Sequence, residues 1–133
     1  MTNIKKQLKE FLAARQDILL AFLFGSEASG RTRVDSDVDI ALLFHPDRLP
    51  SGDQLLGIED ELIRLLKRET DVVILNDASP ILKMQVLRNG HKLVEQNRRV
   101  YSEFFVRTVN EYDDLKRVRA VIEKKILRGR IYG

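Results

Sequence analysis

The sequence predicts an α+β fold, a small mixed β-sheet with helices packed on it and a long C-terminal helix. Three observations carry this. One continuous apolar run, Ile18 to Phe24, has strand length and is apolar enough to be covered on both faces, and Val38 to Phe44 returns to the apolar strand pattern. Around and between them, apolar residues recur at helical spacing. From about Val100 one stripe runs through Tyr101, Phe105, Val109, Tyr112, Leu115, Val118, Ile122 and Ile126, a long helix for so small a domain.

The elements follow in order. Ile4, Leu8, Phe11 and Leu12 share a helical face, so residues 3 to 15 read as an amphipathic opening helix. The first apolar run stops at Gly25. Residues 26 to 36 are small, polar and charged, a connection rather than a core element, before Val38 resumes the strand pattern. Ser51 followed by Gln54 three residues later is a capping box, and Leu55, Ile58, Leu62, Leu65 and Leu66 lie behind it, which predicts a helix over about 52 to 68. Asp71 to Leu75 reads as a third strand. Ser79 as N-cap, Pro80 at the first helical position and Asn89-Gly90 at the far end bracket another helix, and His91 to Glu95 adds a short edge strand. The polar stretch 96 to 99 divides the chain into residues 1–97 and a basic amphipathic helix, 98–133, that docks on a partner or packs on the same domain.

Composition removes several classes of function. There is no cysteine, hence no disulfide or thiolate metal site, in keeping with a reducing compartment. The longest apolar run has seven residues where a membrane span needs roughly 20, and the N-terminus reads as helix rather than signal peptide, so the expected location is cytoplasmic, with no membrane partner. Residues 98 to 133 hold ten Lys or Arg against five Asp or Glu, a net of +5, which leaves −2 of the formal +3 for residues 1 to 97. Phe104 and Phe105 lie near Arg98, Arg99 and Arg107, but Glu103 and Glu111 interrupt that surface, so direct nucleic-acid binding is not expected. His45 and His91 have no second histidine at ligand spacing and read as surface or strand-end residues.

The chemistry concentrates between the first two strands. Asp37 and Asp39 are two positions apart at the start of a strand, so their side chains project from one face with Cα atoms about 6.6 Å apart. Val38, Ile40, Leu42 and Phe44 take the buried parity. Two crowded carboxylates suit a hard cation such as Mg²⁺, which takes one or two carboxylates together with phosphate oxygens and water. Gly25 permits a close backbone approach, and Ser26 can open a helix with free amides, a seat for phosphate. Arg31 and Arg33 lie in the connection. A metal site and an anion site at one edge point to a metal-bound triphosphate as ligand. Asp71 opens the next strand and could face the first two across the sheet as a further metal ligand or proton acceptor. Glu69 competes for that role, but it is expected in the last turn of the preceding helix.

Gly25-Ser26, ten residues, then Asp37-Val38-Asp39 resembles the signature of the DNA polymerase beta-like nucleotidyltransferases, and the chain length resembles their minimal members, the MNT domains. The resemblance implies the polymerase beta-like fold, Gly25 and Ser26 on the nucleotide phosphates, Asp37 and Asp39 on the metal, Asp71 as third carboxylate and, more weakly, Arg31 as a phosphate contact. It also implies an antitoxin that uses ATP and Mg²⁺ to adenylylate a tyrosine of a cognate HEPN-domain RNase toxin. Two other readings stay open at this stage. One is the same chemistry on a small molecule or an RNA end, and the other is a non-catalytic antitoxin that masks its partner.

Overall fold

The computed structural model describes residues 3–25 and 37–132, with side chains through residue 128. Helix α1 (Ile4–Ala13) starts where the Asn3 side chain accepts the Lys6 N–H at 3.2 Å, and it buries Leu8 and Leu12. Strands β1 (Ile18–Phe24) and β2 (Val38–Phe44) have the expected bounds. Helix α2 (Gly52–Leu66) carries the expected capping box in full, with Ser51 Oγ accepting the Gln54 N–H and Gln54 Oε1 accepting the Ser51 N–H. Strand β3 (Thr70–Ile74), helix α3 (Pro80–Asn89), strand β4 (His91–Glu95) and helix α4 (Arg98–Tyr132) follow, with short 3-10 turns at Pro46–Arg48 and Leu75–Asp77.

The sheet order is β3-β2-β1-β4, with β1 antiparallel to β2 and β4 and β2 parallel to β3. It is therefore mixed, and β1 and β2 are its central strands. Helices α1 and α2 cover one face, where Leu8, Leu12, Ile58 and Leu62 pack on Leu23, Val38, Ile40, Leu42 and Phe44. Helix α3 and the first turns of α4 cover the other, with Val86 and Phe104 against Leu20, Phe22, Ala41 and Leu75. The two-residue alternation of strands sorts the side chains between these cores, which is why neither run shows polar alternation. Asn76 completes the far end of β2: its side chain accepts the Phe44 N–H and donates to the Phe44 carbonyl, both at 2.9 Å, standing in for a strand partner.

Two expectations change, and the end of α3 stands where expected. Helix α2 stops earlier than residue 68, because Lys67 turns left-handed at φ 58° and its N–H closes on the Ile63 carbonyl. Glu69 is thus outside the helix, and its carbonyl instead accepts the Val38 N–H at 2.9 Å. Gly90 ends α3 without a left-handed turn, at φ −78°. Glycine is needed there for space, since a Cβ would lie 2.4 Å from the Val86 carbonyl oxygen. On α4 the buried residues are Phe104 and Thr108, while Phe105 is 44% exposed. Of the expected stripe, Tyr101, Val109, Tyr112 and Leu115 are half-buried while Phe105 is turned out, because α4 meets Phe22 and α3 through the 101, 104, 108 spacing.

Lys83, buried on α3, donates to Glu111 of α4 at 2.9 Å and so ties the two helices together. Beyond Leu115 every described side chain of α4 is exposed.

Candidate active site

Sheet topology assembles the site. Strand β1 ends where the antiparallel β2 begins, and β3 begins beside β2 because the two are parallel. The C-terminal end of β1 and the N-terminal ends of β2 and β3 therefore meet at one edge of the sheet. Gly25, Asp37, Asp39 and Asp71 all stand there. Asp39 is paired with Phe24 on one side and with Asp71 on the other. Direct partners share a face, so the two carboxylates lie side by side. Asp37 precedes the strand by one residue and is exposed, as is Asp71, while Asp39 is half-buried.

The electrostatics follow from that placement. Burial raises the Asp39 pKa above the ordinary aspartate value, and the negative charges of Asp71 and then Asp37 raise it further. The carboxylates stand along the edge as like charges do, and among the described residues no three acidic, histidine or cysteine side chains converge on one point. Their donor set nonetheless suits a hard divalent cation, whose charge relieves the repulsion that Asp71 and Asp37 impose on Asp39.

Gly25 has a specific steric reason. Its φ is +75°, and a Cβ at this position would lie 2.4 Å from Asp39 Oδ2. Only glycine leaves that oxygen where it is. Ser26 and Arg31 lie outside the described residues, as does Arg33.

One acidic residue was not legible beforehand. Glu59 of α2 lies near Asp71 and accepts the Val72 backbone N–H, and burial, then Asp71, raises its pKa. Because β3 is the edge strand among the described residues, that N–H has no partner strand there and a helix side chain takes it. In the sequence Glu59 is an ordinary helix glutamate, and only the docking of α2 beside β3 distinguishes it. A concavity of about 430 Å³ lined by Arg15, Arg48 and Glu61 lies at the opposite end of the sheet and includes none of these carboxylates.

A mixed sheet that brings a strand-end glycine and three carboxylates to one edge has the arrangement that nucleotidyl transfer requires, and the class is that of the nucleotidyltransferases. The chain belongs to that class, since the family model described as "Polymerase beta, Nucleotidyltransferase" matches residues 6–99. It is 31% identical to the protein adenylyltransferase MntA of Shewanella oneidensis, over 77% of this chain and 72% of the relative, which places it in the MntA family. A solved toxin-antitoxin structure with AMP-PNP is 26% identical, covers 92% of this chain and 98% of its own, and superposes with a TM-score of 0.78. A structure of a tri-AMPylated Shewanella oneidensis HEPN toxin in complex with MNT antitoxin, 24% identical and covering 93% and 96% of the two chains, shares the fold at a TM-score of 0.73. No helix among the described residues is long and apolar enough to cross a membrane.

Proposed function

We propose that this nucleotidyltransferase is an antitoxin that transfers AMP from ATP to a tyrosine of a cognate HEPN-domain RNase toxin and so silences it. The observation that carries the reading is the register Asp39 opposite Asp71, with Asp37 beside them. The MntA relative, a protein adenylyltransferase, and the toxin-antitoxin structure with AMP-PNP support the nucleotide and the partner class.

In this reading residues 1–97 perform the transfer and 98–133 form the tail helix. Asp37, Asp39 and Asp71 would hold Mg²⁺. The chemistry such an ion would supply there is neutralisation of negative charge on the triphosphate. Gly25 and Ser26 seat the phosphates, with Arg31 as a further contact. The tyrosine oxygen attacks the α-phosphorus in line. A new O–P bond forms, the bond to the bridging oxygen breaks, and pyrophosphate leaves with that electron pair. Asp71, exposed at the edge, accepts the phenolic proton. Glu59 fixes the start of β3 through the Val72 N–H and so positions Asp71. A chain without cysteine that consumes ATP suits the cytoplasm.

The test is incubation with labelled ATP, Mg²⁺ and the toxin. Label is expected on a toxin tyrosine with the intact protein and not with Asp39→Ala. Absence of label with the intact protein, or undiminished label with Asp39→Ala, overturns the proposal. If Asp37→Ala and Asp39→Ala chains still neutralise the toxin, masking by α4 is the better account.

A further inference from the structure

The face of α4 that anchors it to the domain continues past the domain. Tyr101, Phe104 and Thr108 pack inward, and the same seven-residue spacing then brings Leu115, Val118 and Ile122 to the same side. Leu115 is the last half-buried residue of that face. Beyond it the helix runs on to Tyr132, 17 residues or roughly 25 Å, with nothing beside it among the described residues. Val118, Val121, Ile122 and Ile126 are between 51 and 55% exposed. An apolar seam of this kind on a polar helix marks an interaction surface.

The charges along the seam have a direction. Asp113 and Asp114 precede it, and Lys124, Lys125 and Arg128 flank its far end. Two copies laid antiparallel, with Val118 of one against Ile122 of the other, put each Asp113-Asp114 pair alongside the 125–128 segment of its neighbour. In the same register Arg117 lies level with Glu123 and Lys116 with Lys124, but all four stand away from the seam, so the orientation is set by its acidic and basic ends. A parallel pair would set acid against acid and base against base. Because a twofold interface repeats the same patch on both subunits, the patch must be complementary to itself, and the acidic and basic ends of this one are. A purely acidic partner helix would match only its basic half.

We propose that the distal part of α4 is a self-association surface on which a second copy of this chain docks antiparallel through Leu115, Val118, Ile122 and Ile126. The seam is short and its flanks are exposed, so the dimer is weak and loosened by salt, which screens such charges within about 8–10 Å.

The test uses the full chain alone, without toxin or nucleotide, so its outcome is separate from that of the proposed reaction. Sedimentation should show a concentration-dependent dimer that high salt weakens, and Ile122→Glu should raise its dissociation constant at least tenfold. Unchanged helix content and unfolding midpoint confirm that the variant is folded. Because the chain lacks cysteine, single introduced thiols report orientation. A mixture of Leu115→Cys and Lys125→Cys chains should form a mixed disulfide dimer faster than either variant forms its own. A chain that stays monomeric at all concentrations, a dimer indifferent to Ile122→Glu, or preferred Leu115→Cys self-linkage overturns the proposal. So does a seam that is covered only when the toxin is added.

Discussion

Replacing Gly25 by alanine tests the geometry of the site with a single methyl group. The backbone at φ +75° is costly for any residue with a Cβ, by about 1–3 kcal/mol. The added Cβ would also sit 2.4 Å from Asp39 Oδ2, whereas ordinary contact begins at 3.4 Å, so the carboxylate must retreat by the difference, about 1 Å. A displacement of that size at a reacting centre costs on the order of 100-fold in rate. Gly25→Ala is therefore expected to lose about 1–3 kcal/mol in urea unfolding and about 100-fold in single-turnover AMP transfer. Gly57 in α2 is the matched control. Nothing lies within 4 Å of its Cβ position, so Gly57→Ala should gain about 0.5–1 kcal/mol from helix propensity and leave the transfer rate unchanged. If Gly25→Ala transfers AMP within twofold of the unaltered chain, the contact between Gly25 and Asp39 does not govern the chemistry.

Other expectations follow from the packing and the charges. Phe104→Ala removes the ring that joins α4 to Phe22 and the second core, and should cost about 3 kcal/mol in chemical denaturation, whereas the same change at exposed Phe105 should cost under 1 kcal/mol. Thr108 is fully buried and its hydroxyl has no hydrogen-bond partner among the described residues, so Thr108→Val should leave stability in urea unfolding unchanged or raise it by up to about 1 kcal/mol. His91 has its pKa lowered below 6.5 by burial and then by Lys5 and Lys9. The folded state therefore binds fewer protons than the unfolded chain, and stability should fall as pH drops through 6.5 toward the folded value, a loss that His91→Gln removes in thermal melts. The site carboxylates act with the opposite sign. Asp39 and Glu59 have raised pKa values, so their folded forms take up protons first and gain stability in more acid solution.

Much of the architecture was legible because it rests on local rules. The capping box of Ser51 and Gln54, the Ser79-Pro80 start of α3 and the two apolar runs each specify an element from a few adjacent residues, and each stands where expected. Strand parity likewise places Asp39 opposite in direction to Val38 and Ile40, whose side chains are fully buried. The departures have a common cause. Lys67 ends its helix by adopting a left-handed turn that no composition rule demanded, and Phe104 rather than Phe105 is buried because α4 lies against Phe22. Glu59 joined the acidic group only because α2 docks beside β3.

By itself, the order of residues determined that Asp39 points away from the buried parity of its strand with Asp37 just ahead of it, that glycine closes the strand before them, and that helices separate the remaining strands. Those statements need only backbone periodicity and steric preference, which act over a few residues. Tertiary structure decided that Asp71 stands opposite Asp39, that Gly25 touches the Asp39 carboxylate, and that α4 leaves its distal seam uncovered. Each of these depends on strand order and register or on the docking of a helix. Such pairings join residues far apart in the chain and are set by how the two cores close around the sheet, not by any local pattern.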